Sequence, residues 1–163
     1  MKFLVDAMLG KLARFLRIFG YDTIYASDLI DYYSTNPVTD KKLNEYAVWS
    51  NRIVITKDIP FFNEIKEKAV LLEGEGVYNY LNQLKLKLNL VYDFNMDKAR
   101  CSDCNTELKA VENKNSIKKI VKHKTFKIYD EFFQCINPKC QKVFWNGPHI
   151  ADIVKKLRNE MNY

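Results

Sequence analysis

The chain has 163 residues, of which 47% are hydrophobic and 13% aromatic, enough for the core of one ordinary domain or two small ones. Its net charge of +6 lies entirely in the C-terminal part, because residues 1–95 carry 12 Lys/Arg and 12 Asp/Glu whereas residues 96–163 carry 14 and 8, which favours a polyanionic partner. No segment has the roughly 20 apolar residues of a membrane-spanning helix, and Asp6 interrupts the first apolar run too early for a signal peptide, so we expect a cytoplasmic protein with no membrane partner.

Strand and helix patterns alternate along the first half of the chain. In chain order they predict a strand at Lys2–Val5, a helix from Leu9 to Gly20, a strand at Thr23–Ala26, a turn-like segment at Asp28–Thr39, a helix from Asp40, a strand at Arg52–Thr56, a short helix at Phe61–Lys68, a strand at Ala69–Leu72 and a helix at Val77–Leu88. Such alternation predicts an α/β fold built on a mostly parallel sheet.

The alternating pattern ends between Asn89 and Lys98, where we place a domain boundary. Residues 1–95 form the predicted α/β domain. Residues 96–163 form a second module with two cysteine pairs, a lysine-rich middle and a final helix predicted at Ile150–Met161.

Three acidic residues stand where strands end or helices begin. Asp6 and Asp58 directly follow strands, and Asp40 begins a helix; the carboxyl ends of parallel strands meet at one edge of a sheet, where ligands bind. Clustered carboxylates repel one another and are stable mainly around a hard cation such as Mg²⁺ or Mn²⁺. A bound ion of this kind can activate water and neutralise a phosphoryl group. The alternative is that each aspartate only caps a helix.

Basic residues flank two of these acids. Lys11, Arg14 and Arg17 are spaced three apart after Asp6, so they are predicted to share a helix face that holds phosphates, or to form only the solvated side of an amphipathic helix. Lys57 is the stronger candidate for a substrate phosphate contact because it is adjacent to Asp58. Thr56 is predicted either to hydrogen-bond water or substrate, or simply to complete its strand.

The four cysteines form two closely spaced pairs in turn-rich segments, CSDCN and CINPKC. In a reducing cytoplasm, this spacing favours a zinc ribbon over disulfides, with one structural Zn²⁺ held by all four thiolates and no open position for catalysis. The ligands are Cys101, Cys104, Cys135 and Cys140. His123 and His149 are not needed as ligands, and a packing or hydrogen-bonding role is expected for His149.

Between the cysteine pairs, residues 114–127 contain six lysines and no acid. Such a segment either binds a nucleic-acid backbone without sequence preference or is a solvated loop. The neighbouring Phe126 and Tyr129 can stack on unpaired bases, which favours RNA, although phosphate contacts alone also allow DNA.

Taken together, these motifs resemble the Mut-seven C-terminal ribonuclease family, which joins a PIN-like nuclease domain to a zinc ribbon. The resemblance covers nearly the whole chain and rests on the runs FLVDAMLGKLARFLRIFGYDTIYASD, TDKKL, RIVITKD, RCSDCN and FFQCINPKCQKVFWNGPH. It implies a PIN-like three-layer α/β/α fold with a small C-terminal zinc ribbon. It also implies an endoribonuclease that depends on Mg²⁺ or Mn²⁺ and cleaves RNA phosphodiesters with an activated water.

The resemblance assigns the metal-binding catalytic acids position by position. Asp6 matches the acid that follows the first strand, Asp40 the acid that opens the D-x-x-L helix, and Asp58 the acid of the T-[KR]-D strand end. A glutamate of the wider PIN pattern has no clear equivalent between Gly20 and Asp40, which leaves open an inactive RNA-binding or ribosome-associated adaptor. A receiver-like phosphoacceptor domain is less favoured, since the chain lacks a clear central-strand acceptor with a later strand-end lysine.

Overall fold

The first four strands form one parallel sheet. In the computed structural model, which describes residues 1–65 and 68–161, they are β1 (Lys2–Val5), β2 (Asp22–Tyr25), β3 (Ile53–Thr56) and β4 (Ala69–Leu71). The strand order is β2-β1-β3-β4, and every neighbouring pair is parallel. The predicted α/β class with a mostly parallel sheet is therefore confirmed.

Helices connect these strands at the positions that the periodicity predicts, with a few shifts. They are α1 (Gly10–Ile18), α2 (Ile30–Tyr33), α3 (Asp40–Trp49), α4 (Ile59–Ile65) and α5 (Val77–Leu88), with short 3-10 helices at Ala7–Leu9 and Ala26–Leu29. The segment predicted as turn-like, Asp28–Thr39, thus contains α2. Helix α4 begins two residues before its predicted start because Asp58 caps it; residues 66 and 67 of its predicted range lie outside the described residues.

Both faces of the sheet are covered by helices. Along β1, Phe3 and Val5 point into a core formed with α1 and α5, whereas Leu4 points into a core formed with α2, α3 and α4. A strand buried on both faces has an uninterrupted apolar sequence, as in FLV and IVI of β1 and β3. This three-layer arrangement leaves the two ends of the sheet for loops and binding sites.

The cysteine-bearing part has its own antiparallel sheet. Strands β5 (Leu108–Ala110), β6 (Phe133–Cys135) and β7 (Val143–Phe144) pair in that order. A small core lies beside them, with a 3-10 helix at Lys114–Ile117 and helix α6 (His123–Ile128) between β5 and β6. Its fully buried side chains include Ile117 and Phe132.

The last helix, α7 (Pro148–Glu160), returns to the first core. It begins two residues before its predicted start, with Pro148 in its first turn, and its Ile153 and Leu157 pack with residues of α1 and α5. The division into 1–95 and 96–163 stays a prediction. Helix α7 belongs to the second range in sequence but packs into the core of the first. Within 1–65 and 68–161, no helix is long and apolar enough to cross a membrane.

Arg17 joins the cysteine-bearing part to the parallel sheet. Its side chain is 2% exposed, and its guanidinium donates to the carbonyls of Thr23, Ser102 and Asp103 at 2.8, 3.0 and 2.9 Å. It also pairs with the carboxylate of Asp28. A planar fork of donors suits such a set of oxygens better than an ammonium would.

A second set of polar contacts surrounds Asp22, at the start of β2. The side chain of Asn105 donates to Asp22 at 2.7 Å and accepts from the backbone N–H of Thr23 at 2.9 Å. Arg52 donates to Asp22 at 2.8 Å. Although burial opposes ionisation of Asp22, the hydrogen bonds from Arg52 and Asn105 outweigh it and lower the pKa of this carboxyl. The cysteine loop, which comprises residues 101–105, is therefore fixed to β2 by charge-assisted hydrogen bonds.

Gly20 permits a close backbone approach at the same junction. Its φ is +87°, and a Cβ there would lie 2.8 Å from the carbonyl oxygen of Lys98. Only glycine fits both the left-handed turn after α1 and this contact.

We expect Arg17→Ala to lower the free energy of unfolding by about 3 kcal/mol, because the change leaves buried carbonyls and Asp28 without their donor. Urea denaturation followed by circular dichroism measures this loss. Arg14→Ala is the matched control: Arg14 is exposed on the same helix, and its loss should change stability by no more than about 0.5 kcal/mol. Equal effects of the two substitutions would contradict the structural role of Arg17.

Candidate active site and metal centre

The register between β1 and β3 places Asp6 beside Thr56. Val5 pairs with Ile55, and the pairing continues as the N–H of Asp6 donates to the carbonyl of Ile55 at 3.0 Å. The Thr56 hydroxyl then donates to the Asp6 carboxylate at 2.6 Å and accepts from the N–H of Asp58 at 2.9 Å. Thr56 is fully buried, so its side chain positions the two acids.

Asp6 and Asp58 are helix caps, and each uses one carboxylate oxygen for that purpose. Asp6 accepts from the N–H of Ala7 at the start of a 3-10 helix, and Asp58 accepts from the N–H of Phe61 at 2.9 Å. Within the described residues, the second oxygen of Asp58 has no hydrogen-bond donor. The capping alternative is therefore compatible with ligand binding at the same residue.

Asp40 completes a group of acids at this edge of the sheet. It is the first residue of α3, and its carboxylate makes no hydrogen bond within the part of the chain that the structure describes. Asp40 is exposed, but partial desolvation of its carboxyl raises its pKa, and the negative charges of Asp58, Asp6 and Glu64 raise it further. The charges of Asp6 and Asp58 therefore act on Asp40, and a hydrogen-bonded connection through Thr56 joins Asp6 to Asp58.

Glu64 is an acid that the sequence analysis did not single out. It lies in the second turn of α4, and its charge acts on Asp40. The family resemblance places the expected glutamate before α3, between Gly20 and Asp40, whereas Glu64 follows β3. In the sequence, Asp58 is the feature that points to Glu64. The helix that Asp58 caps begins at the edge of the sheet where the acids lie, so an acid early in that helix lies near them.

The acidic cluster, which we define as Asp6, Asp40, Asp58 and Glu64, has a donor set that fits a hard divalent cation. Carboxylate oxygens are the ligands that Mg²⁺ prefers, and Mg²⁺ usually keeps several waters while contacting only one or two carboxylates. Such binding tolerates carboxylates that stand apart. Among the residues that the structure describes, only the cysteine group brings three or more potential ligand atoms within 4.8 Å of one another, so the acidic cluster is the more open of the two.

The predicted basic residues have different surroundings. Lys11 and Arg14 are exposed on α1, whereas Arg17 is buried and its guanidinium is engaged by protein oxygens. Arg17 therefore does not share an exposed face with the other two, because the last turn of α1 lies beneath the cysteine loop. Lys57 donates to Glu75 at 2.5 Å and lies 5.6 Å from the ring centroid of Tyr80.

The four cysteine thiols converge as their spacing predicts. Their sulfur atoms lie within 4.8 Å of one another, with Sγ–Sγ distances of 3.7 Å for Cys101–Cys140 and 3.4 Å for Cys104–Cys135. A tetrahedron with 2.3 Å metal–sulfur bonds has edges of about 3.8 Å. The thiols form no disulfide, and this group can hold one metal ion.

Two turns of similar shape form the cysteine site. The residue after each pair, Asn105 or Gln141, has a positive φ of 64° or 50°, which turns the chain back after the second thiol. Burial raises the pKa of Cys101 well above its usual range and that of Cys135 to about 11. At Cys104, hydrogen bonds with Thr106 outweigh burial and lower the pKa to about 6. A bound cation would offset the cost of ionising all the thiols together.

The family comparison covers both sites. Residues 1–157 match the family model of the Mut7-C RNAse domain. Comparison with curated proteins and with solved structures gives no significant match. The acidic cluster and all four cysteines lie within the matched range.

We expect Asp40→Asn to raise the melting temperature at pH 7 when no divalent ion other than zinc is present. A carboxyl whose pKa is higher in the folded than in the unfolded protein destabilises the fold once it is ionised. The gain should therefore shrink as the pH falls toward 3.8, the ordinary pKa of this group. Scanning calorimetry across this pH range checks the prediction.

Asp31→Asn is the control for that experiment, since Asp31 is an exposed aspartate of α2 and should show no such gain. A lower melting temperature for Asp40→Asn at pH 7 would show that the carboxylates do not repel one another.

The cysteine site generates a second prediction. The purified protein should contain one zinc ion per chain by elemental analysis, and Cys104→Ser should lose most of it because three thiolates hold the ion less tightly. Cobalt substitution should give the absorption bands of a tetrahedral thiolate site. Thr106→Val, which removes only the neighbouring hydroxyl, should retain the metal; metal-free wild-type protein with full stability would contradict the assignment.

Proposed function

The chain belongs to the Mut7-C RNAse domain family, and from this membership we propose that it is a PIN-like endoribonuclease that depends on Mg²⁺ or Mn²⁺. The observation that supports the proposal is the hydrogen-bonded connection from Asp6 through Thr56 to Asp58 at the carboxyl edge of the parallel sheet, with the charges of both acids acting on Asp40. Repelling carboxylates at a ligand-binding edge are an arrangement that a divalent cation stabilises.

The proposed roles follow from the contacts of each acid. Asp6, Asp40 and Asp58 would hold the cation, and Glu64 would add a fourth carboxylate. Bound there, Mg²⁺ or Mn²⁺ supplies Lewis acidity that activates a water and neutralises charge on the phosphate. Thr56 orients the Asp6 carboxylate through its 2.6 Å hydrogen bond, so that the protein pays little reorganisation energy when substrate binds.

Substrate phosphates would be contacted by Lys57, Lys11 and Arg14. Lys57 directly precedes Asp58, and its contact with Glu75 is on the surface, where an ion pair contributes little and exchanges easily. Arg17 is left out of this set, because its donors are occupied by protein oxygens. Thr56 acts through Asp6 and not on the substrate.

The cysteine-bearing module would bind RNA through its lysines. A structural zinc would fix the two cysteine turns, and the reducing cytoplasm would keep the thiols available. In the described part of the chain, five exposed lysines between the cysteine pairs have no acidic partner: Lys118, Lys119, Lys122, Lys124 and Lys127. Their charges can displace counterions from a phosphate backbone without sequence preference.

An inactive RNA-binding or ribosome-associated adaptor is the alternative function. The observation that favours it is the wider spacing of the carboxylates compared with the thiols. Cleavage assays separate the two functions, since an adaptor binds RNA and leaves it intact whether or not Mn²⁺ is added.

We expect Asp6→Asn and Asp58→Asn to reduce Mn²⁺-dependent RNA cleavage by at least about 100-fold, because each removes a charged ligand from the proposed site. Glu64→Gln should reduce it about 10-fold, as expected for an outer carboxylate. Gel analysis of a labelled RNA mixture, with Mn²⁺ or Mg²⁺ added or omitted while zinc is kept, measures these effects.

Asp31→Asn, prepared in parallel, should cleave like the wild type and reports any contaminating nuclease. Thermal melting confirms that each variant is folded. Unchanged cleavage by both Asp6→Asn and Asp58→Asn would exclude this site, and intact RNA with folded, zinc-loaded wild type would support the adaptor.

A further inference from the structure

A cleft of about 920 Å³ lies between α1 and the cysteine-bearing part. On one side it is lined by α1, the end of β2, the 3-10 helix that follows β2, and Tyr78 of α5. The opposite wall consists of the cysteine loop, β7 and the start of α7, including His149. The volume is at the upper end of the range for ligand-binding clefts. None of the acidic-cluster residues lines this cleft.

The charges lining the cleft leave two cations available. Each acid in the lining has a basic partner: Asp28 pairs with Arg17, Asp103 with Lys142, and Asp152 with Lys156. Lys11 and Arg14 also line the cleft, and neither forms an ion pair within the described residues; the charge of Arg14 does act on Asp103, which is already paired with Lys142. The cysteines are not part of the lining, so a thiolate-bound metal would lie behind the wall.

Aromatic rings lie beside these cations. Tyr25, Tyr78 and Phe144 line the cleft and are partly exposed. Cations that track phosphates together with rings on which bases stack are the recurring features of single-strand nucleic-acid sites. A duplex would keep its bases away from such rings.

The cleft begins next to the acidic cluster. The Tyr25 hydroxyl donates to the carbonyl of Ala7 at 2.6 Å, and Ala7 directly follows Asp6. Lys11 lies in the first turn of α1, after the 3-10 helix that Asp6 caps. A strand with one phosphate at Asp6 would thus reach the cleft with its neighbouring nucleotides.

We propose that this cleft binds single-stranded RNA on one side of the scissile phosphate, with Lys11 and Arg14 at its phosphates and with His149 and Tyr25 beside its bases. The inference rests on the proposed function, and it gives His149 a role that the sequence motif WNGPH left open. In this proposal both walls of the cleft contact the substrate, so the cysteine-bearing part contributes to the RNA-binding site of the nuclease.

Binding is measured on the zinc-loaded Asp6→Asn protein without added Mg²⁺ or Mn²⁺, using fluorescence anisotropy with a labelled oligouridylate. This design does not depend on cleavage. Arg14→Glu should weaken binding at least about 10-fold, and Arg14→Ala should reduce the slope of log K against log salt by about 0.7, the value for one single-strand phosphate contact. His149→Ala should weaken binding about threefold or more, as loss of a base contact does.

Lys2→Glu is the charge-matched control, because Lys2 is exposed at the start of β1 and therefore at the opposite end of the strand from Asp6. It should alter binding less than twofold. The proposal would be overturned if Lys2→Glu and Arg14→Glu weakened binding equally. It would also be overturned if Arg14→Glu weakened binding of a duplex RNA as much as binding of the oligouridylate.

Crosslinking supplies an independent readout. Oligouridylate that contains 4-thiouridine should crosslink to peptides carrying His149 or Tyr25, and crosslinks confined to residues 114–127 would overturn the assignment. If the wild type fails to cleave RNA but Arg14→Glu still loses affinity selectively, the cleft stands and the catalytic proposal fails.

Discussion

Parallel pairing of β1 with β3 is the constraint on which the acidic cluster depends. The register that sets Val5 beside Ile55 also sets Asp6 beside Thr56, and the Thr56 hydroxyl connects the two strand ends through one side chain. A shift of one residue would send the apolar side chains of β1 to the wrong faces. Burial of the sheet therefore places Asp6 beside Thr56, and the packing that stabilises the fold also positions this acid.

Hydrogen bonds and helix packing join the cysteine-bearing part to the parallel-sheet part of the molecule. Arg17 and Asn105 attach the cysteine loop to β2, and α7 packs its apolar side chains into the core formed by α1 and α5. A loop held by a buried guanidinium and by the side chain of Asn105 makes a rigid wall. Rigidity there favours ligand binding, since little conformational entropy remains to be lost.

Sequence patterns predicted those features that follow from local order along the chain. Strand-end acids are visible as Asp6 and Asp58 because an apolar run precedes each, and the cysteine turns are visible from their spacing. The partner of an exposed-looking side chain is not local: Arg17 has the same spacing as Lys11 and Arg14, yet residues 85 and 86 positions later cover it. Glu64 and the docking of α7 were likewise decided by tertiary packing.

Arg17 contacts the loop between Cys101 and Cys104 through main-chain carbonyls, those of Ser102 and Asp103. Every amino acid provides such a carbonyl, so the attachment does not depend on which side chains occupy the two positions. It depends on their number, because an inserted or deleted residue would move both oxygens away from the guanidinium. We therefore expect the attachment to tolerate exchange of these two residues and to be lost when the length of the turn changes.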